Sequence, residues 1–578
     1  MNAPGPPPTI PILSFLLIVY HLSAWLFRVR VQVPRHTKTH QRFASKYASS
    51  EDSLCSLFPL IVPIATFFVF SCLLGRDMSL VLGVDLGTQH LKALVYDAEA
   101  RAVLALASAP LELHQSDAGA AEQHAEWWVD ALRDAMAQIE PKLKSVVAAI
   151  GVSGQQHGFV PLNSRGDVLA PVKLWCDTST EPECEVIMTR LGGVDSCIKA
   201  AGNPILPGYT ASKVLWLKNS PPTLYDEMDC LLLPHDYLNF FLTGERCMEM
   251  GDASGTGFLD VRTRTWSKDV LRAIDVDRDL GDCLPQLRTD NEAVGELRQD
   301  VASLLGLTAG IPVSIGGGDN MMGAIGTGNV KPGRVTMSLG TSGTVYAYAD
   351  APVVDPKGEI AAFCSSTGGW LPLLCTMNCT VSTELMRGLM GVGIEEFESQ
   401  IASAPPASEG LLTLPFFNGE RTPNLPRAKG CLIGIDSRNA TPQNMLRSAV
   451  EGATFALKFG IDRLTELGVT ETEIVLIGGG SKSATWRQIV ADICDTSVIV
   501  LAQEEGAAFG AALQALDLVS EDSLQSLVDT HIERHDDGCC EPEPESVSIY
   551  REAYNSYLAA VGAITPLYSA EKQAGEEK

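Results

Sequence analysis

Two stretches of the chain share one arrangement of apolar and polar positions. Leu80 to Asp85 is an apolar run, Gly87-Thr88 breaks it, and Leu91 to Tyr96 is apolar again. Arg334 to Ala349 repeats the scheme with Gly340-Thr341 at the break. Apolar runs joined by a short glycine-containing break predict β-hairpins. Val103 to Ala107 extends the first into a meander. Glu122 to Ile139 carries Trp128, Leu132, Met136 and Ile139 at helical spacing, which predicts an amphipathic helix with those side chains in the core. Val146 to Val152 reads as a buried strand running into Gln155-Gln156-His157-Gly158, and Glu473 to Ile477 as a strand running into Gly478-Gly479-Gly480. Helices are expected over 484–494, 506–516 and 550–564. The second of these is rich in glycine and alanine and suits close packing; the acidic stretch after it reads as a loop.

The 578 residues are enough for two or more domains with real cores. The first is expected over 78–315 and the second over 316–568, with a polar tail at 569–578. The net charge of −27 argues against broad nucleic-acid binding but not against ATP, which backbone donors and a metal can hold. The 15 cysteines show no zinc-like pairing and read as reduced thiols of a cytosolic protein.

Residues 1–77 differ in character. Thr9 to Phe27 and Ser53 to Leu74 are apolar runs long enough to span a bilayer, separated by a basic stretch from Arg28 to Lys46. Three readings stand: a targeting segment, a membrane anchor, or an upstream stretch outside the working protein. An anchor with its basic loop in the cytosol would carry the body away from cytosolic ATP. Met78 stands two residues before the first hairpin.

A glycine at a hairpin bend lets backbone N–H groups approach a phosphate, and a threonine hydroxyl adds a donor. Two such hairpins facing each other would grip one polyphosphate between related domains. Between them lies Gly316-Gly317-Gly318-Asp319-Asn320, after a strand-like run from Ile311 to Ile315. Asp319 there is either a helix N-cap or, in company with the hairpins, a catalytic carboxylate.

The ordered set GVDLGTQHLKALVYD, GVSGQQHGFVPL, LWCDTST, PGYTASKVLWLKN, GGGDN, SLGTSGTV, NGERTPNLPRAKG and LIGGGSKSATWRQIVADI resembles the FGGY carbohydrate kinases from about Met78 to Leu567. The resemblance implies an α/β protein of two ribonuclease-H-like domains, of the actin-like ATPase superfamily, with a cleft between them. It implies ATP-dependent phosphorylation of a ketopentose, D-xylulose first; ribulose, glycerol or another polyol, and a sugar-independent actin-like ATPase, are the alternatives. ATP would lie on Gly87, Thr88, Gln89, Lys92, Gly340, Thr341 and Ser342, with adenosine cradled by Gly479, Gly480 and Ser483. Asp85 would orient Mg²⁺, and Asp319 would be the general base. The sugar would meet Gln156, His157, Trp175, Asp177, Asp319 and Asn320. Two positions depart from the family pattern: Gln156 stands where familiar bacterial members carry methionine, and Cys176 stands in a Trp-Asn-Asp turn. No chemical step attaches to Asn418 to Pro423, which reads as a loop bordering the cleft. The partners expected are the sugar and ATP, no nucleic acid, and a membrane only through the N-terminal segment; a homodimer is left open.

Every candidate residue lies beyond position 77. Removing residues 1–77 is therefore expected to leave folding and sugar-dependent ADP release intact, as checked by melting and a coupled assay. Loss of folded protein on that deletion would assign the segment a structural part.

Overall fold

The computed structural model describes residues 79–219, 222–288 and 292–569. The N-terminal segment expected at 1–77, and the polar tail beyond its first residue, lie outside the described residues. Strands β1 (Leu80–Leu86), β2 (His90–Asp97) and β3 (Ala102–Pro110) form the expected meander. β1 is buried on both faces, whereas β3 is exposed at alternate positions, as an outer strand requires. Helix α1 (Ala125–Ala137) covers this sheet with Trp128, Leu132 and Met136 buried. It starts later than its apolar spacing suggests, because Ala121–Gln123 is a short strand paired with Val172–Lys173. Gln123 is held there by its own side chain, whose Nε2 donates to the carbonyls of Thr88 and Glu112, both at 2.8 Å.

Strand β4 (Ala149–Gly154) runs parallel to β1. It begins three residues after the expected Val146, since the N–H groups of Ser145 and Val146 close the preceding helical turn on Pro141 and Leu143. Helices α2 (Thr210–Asn219) and α3 (Pro234–Thr243) follow, then β5 (Ala293–Glu296), β6 (Pro312–Ser314) and the two-residue β7 (Gly317–Gly318). The sheet order is β5-β6-β4-β1-β2-β3, and β7 pairs with β4. The crossing to the second sheet therefore lies beyond Gly318, past the expected opening of the second domain at Gly316.

Helix α4 (Asp319–Gly326) leads to a second sheet. Strands β8 (Gly333–Leu339) and β9 (Gly343–Ala347) are the second hairpin, and β10 (Leu373–Thr376) pairs with β9. Helix α5 (Pro442–Glu466) packs beneath this sheet through Leu446, Val450 and Leu457. Strand β11 (Glu471–Ile477) runs parallel to β8. Helix α6 (Ala484–Cys494) has the expected ends, and β12 (Val498–Ile499) completes the order β10-β9-β8-β11-β12. Each sheet thus pairs one strand with an antiparallel hairpin mate on one side and a parallel strand on the other, as β1 does with β2 and β4, and β8 does with β9 and β11.

Helix α7 (Gly506–Asp517) comes after the second sheet in sequence but packs on β1, β4 and α4. Small residues let the main chains touch. A side chain at Gly83 or Gly151 would strike the carbonyls of Ala508 or Ala511 at 2.0 and 1.9 Å. Between α4 and α7, Gly326 faces the Gly506 carbonyl at 1.9 Å and Gly510 faces that of Met322 at 1.8 Å. Helix α8 (Pro544–Ser569) is longer than expected at its N-terminal end because Pro544 opens it, and it buries Tyr550 and Tyr557 against the second core.

Gly510→Ala places a methyl group on a main-chain carbonyl and must part the two helices. A loss of about 2 kcal/mol or more is expected. Gly388→Ala lies in a helix, meets nothing within 4 Å, and is expected to gain up to about 1 kcal/mol from helix propensity. Urea melts of the two variants check the contrast; equal effects would refute the close-packing account.

Candidate active site

The functional turns sit at neighbouring strand ends. β1 runs into Gly87-Thr88, and its last residue lies opposite Gly154 of β4, after which come Gln156 and His157. Gly318 of β7 is also opposite Gly154, so Asp319 emerges beside the Gln156-His157 turn. In the second sheet, Ser338 lies opposite Ile477, which places Gly478 to Gly480 against the Gly340-Thr341 turn.

Asp319 opens α4, while Gly318 takes the N-cap position. Its carboxylate accepts from the backbone N–H of Asn320 at 2.8 Å and from Asn320 Nδ2 at 3.0 Å. The same Nδ2 donates to Gln156 Oε1 at 2.7 Å, and Gln156 Nε2 reaches Met321 Sδ at 3.2 Å. Asp319, Asn320 and Gln156 therefore form one connected set. Burial, then the negative charges of Asp85 and Asp252, push the Asp319 carboxyl up to about 7, against the pull of the Asn320 bonds. A free aspartate is ionised far below this value, so the folded site makes Asp319 a stronger base than its sequence position suggests. Asp85 accepts from Ser153 Oγ at 2.8 Å. Burial raises its pKa, with Ser153 and Lys92 opposing.

The first hairpin is braced by amides. Thr88 Oγ1 donates to Gln155 Oε1 at 3.1 Å and accepts the Trp175 indole N–H at 3.0 Å. Gln155 Nε2 continues to Gln123 Oε1 at 2.9 Å, which also takes the Trp128 N–H at 2.9 Å. The Thr88 hydroxyl proton is thus engaged, and the Gly87 N–H donates to the His90 carbonyl at 3.1 Å, so a phosphate would have to meet the backbone N–H groups after Gly87. Trp175 ties the sugar side to this hairpin. Gln89 is exposed, and its carbonyl accepts from Leu111. Lys92 pairs with Glu505, the residue before α7, instead of standing free for phosphate.

Asp177 does not face the sugar as expected. It is fully buried, and its oxygens accept from the Ala121 N–H at 2.9 Å, Lys173 Nζ at 3.0 Å and the Ser179 N–H at 3.0 Å. It holds the turn together.

In the second hairpin, Thr341 is exposed and Gly340 and Ser342 are half-buried. The carbonyls of Gly340 and Thr341 accept from Thr380 and Cys379, which fixes the turn's backbone. Gly479 has open space where a side chain would stand, whereas one at Gly480 would strike Leu339 Cβ at 2.7 Å. Gly480 is a packing glycine and Gly479 is the accessible one. Ser483 caps α6, accepting the Trp486 N–H at 3.0 Å and donating to Glu398, so its hydroxyl serves the fold rather than an adenosine.

Residues 80–326 match the family model for the N-terminal domain of the FGGY family of carbohydrate kinases, and residues 335–516 match that for its C-terminal domain. The chain belongs to the FGGY family of carbohydrate kinases. A xylulose kinase from Haemophilus influenzae is 41% identical over 484 residues, 82% of this chain and 98% of the relative. One from Escherichia coli is 35% identical over 417 residues, 71% of this chain and 84% of the relative. A crystal structure of a xyloylose kinase from Brucella ovis, 31% identical, superposes with a TM-score of 0.79 over 84% of this chain and all (100%) of the other. A Plasmodium falciparum glycerol kinase with ADP, 18% identical, shares the fold at a TM-score of 0.76, over 84% of this chain and 98% of its own.

In this FGGY kinase some residues around the site lie outside every quoted motif. Glu505 meets Lys92 from a distant part of the chain. Asp252 contacts His157, and His235 backs Asp252. Glu420 and Lys213 lie in quoted motifs but had no assigned part: Glu420 holds its loop by accepting from the N–H groups of Met377 at 2.7 Å and Arg421 at 2.8 Å, and Lys213 donates to the His157 carbonyl. The Asp319 value of about 7 has a direct kinetic consequence. Asp319 must be ionised to act as a base, so kcat/KM should fall about tenfold per pH unit below its pKa, for which about 7 is the upper bound because a cation at Asp85 would remove part of the charge that raises it. A profile flat from about pH 5 to pH 8 would remove Asp319 as the ionising base.

Proposed function

We propose that this FGGY kinase transfers the γ-phosphoryl group of ATP to D-xylulose, giving D-xylulose 5-phosphate, and does so in the cytosol. The reading is carried by Asp319, which stands beside the Gln156-His157 turn and is raised by the neighbouring Asp85 carboxylate. It is supported by relatives named xylulose kinase at 34–41% identity. Asp319 takes the proton of the attacking hydroxyl as that oxygen approaches phosphorus. Asn320 and Gln156 hold Asp319 by the hydrogen bonds between them and present donors and acceptors to the adjacent hydroxyls. His157 is buried and its pKa is lowered by that burial, so it is a neutral imidazole whose Nδ1 is turned to Asp252 at 3.3 Å, leaving Nε2 to accept from a sugar hydroxyl.

The residues present suit Mg²⁺. Asp319 is raised partly by the charge of Asp85, and a cation at Asp85 would relieve that repulsion. Mg²⁺ in such sites is held by one or two carboxylates and the nucleotide's own oxygens. Asp85 would hold it, and the ion would neutralise charge on the transferring phosphoryl group. Phosphoryl transfer draws most of its rate from such positioning and electrostatics. The Gly87-Thr88 and Gly340-Thr341 turns supply backbone donors to the phosphates, with Gly479 leaving room for the nucleoside.

Asp319→Asn keeps the shape and the bonds to Asn320 but cannot take a proton. Turnover with D-xylulose should fall by about 10²- to 10⁴-fold while ATP and sugar still bind. Near-wild-type kcat in that variant would leave the base unidentified. ADP release unchanged by any ketopentose or polyol would overturn the kinase reading itself.

A further inference from the structure

His157 has φ +63°, in the left-handed region that residues other than glycine rarely adopt. Two buried side chains, a carboxylate and a lysine whose pKa burial pushes down to about 7, hold it there from its two backbone ends. Asp252 Oδ1 accepts its N–H at 3.2 Å. Lys213 Nζ, on α2, donates to its carbonyl at 2.8 Å, and Thr210 Oγ1 donates to the same oxygen at 3.1 Å. Lys213 and Asp252 are both 0% exposed. The second bond of Lys213 goes to the Gly208 carbonyl at 2.7 Å.

The ring is placed as firmly as the backbone. Asp252 Oδ1 lies 3.3 Å from His157 Nδ1. The other Asp252 oxygen is 3.2 Å from His235 Nδ1, and His235 Nε2 is 2.9 Å from Asp236. Burial works against charge on His235, but Asp236 and Asp252 hold it well above the usual range, so a cation backs the Asp252 carboxylate. The imidazole occupies the space of a missing side chain: a Cβ at Gly255 would stand 1.9 Å from His157 Cε1. Tyr209 and Phe363 pack against the ring, with centroids 5.3 and 5.4 Å away. The charged groups facing His157 are Asp252, Lys213 and Arg421.

Burying a lysine amine and a carboxylate is costly, and a glycine at position 157 would adopt the same turn without strain. The turn by itself calls for neither the imidazole nor the two buried polar groups. We propose that Asp252, Lys213 and Gly255 are positioning residues that clamp His157 in the pose that recognises the sugar. The proposal rests on the reading of His157 as a sugar contact.

The test uses the full-length protein and three variants, Asp252→Asn, Lys213→Gln and Gly255→Ala. Sugar KM should rise about tenfold or more, while KM for ATP stays within about twofold and kcat within about fivefold, the pattern of lost substrate binding. A folded Asp252→Asn or Lys213→Gln protein with wild-type sugar KM overturns the clamp. Where loss of a buried charge unfolds the chain, Gly255→Ala decides, since it leaves every charge in place; wild-type sugar KM there overturns it too. Isotope-labelled histidine NMR reads the ring without substrate. The His157 resonances should move in every folded variant, and unmoved resonances overturn the clamp. Moved resonances in a protein that turns over no sugar would sink the substrate reading and leave the clamp standing.

Discussion

The molecule depends on main chains that touch without side chains between them. Helix α7 lies on β1 and β4 through Gly83 and Gly151, and on α4 through Gly326 and Gly510. Ridges of larger side chains would hold helix and sheet further apart. The close approach lets α7, which follows the second sheet in sequence, join the strand ends that carry the first hairpin and the sugar turn. It also brings Gln514 Oε1 to the Gly316 N–H at 2.8 Å and Ser314 Oγ at 2.8 Å, pinning the segment that ends at Asp319. The position of Asp319 is thus tied to the packing of a helix far away in the chain.

That placement has an electrostatic result. Asp85, in β1, and Asp319, at the start of α4, share one poorly solvated region. Asp319 is raised first by its burial and then by the charge of Asp85. Behind it, Asp252 is held down to about 2 despite its burial, by hydrogen bonds and charge from His157 and His235, and so remains ionised. Neighbouring aspartates thus have opposite shifts, set by their partners.

The hairpins differ in how they are braced. The first is held by side-chain amides, with Gln123 and Gln155 passing hydrogen bonds from Trp128 to Thr88. The second is held by the backbone, its carbonyls capped by the start of the helix Thr380–Met390. A side-chain brace couples the first hairpin to the start of the Gln156-His157 turn through Gln155, while Trp175 bonds the hairpin from Thr88. The second hairpin has its neighbour in the glycine turn after β11.

The sequence by itself determined the local elements and the family. Apolar periodicity and glycine punctuation are short-range properties, so β1, β2, β8, β9 and α6 were legible, and the ordered motifs gave the two-domain kinase fold. Asp319, Gln156 and His157 could be placed in turns from the sequence because each follows a strand end, and Asp85 because it closes the apolar run of β1 before the glycine break. Element starts were less so: α1 gave up Glu122 to a strand because Gln123 bonds a distant carbonyl. Tertiary structure alone decided the state of each side chain. Whether Asp177 faced a sugar or a buried lysine, whether Lys92 stood free or met Glu505, and whether Ser483 bound a ligand or capped α6 depended on partners tens or hundreds of residues away. The raised Asp319 carboxyl and the clamped left-handed His157 have the same origin, since burial and charge act through space and not along the chain.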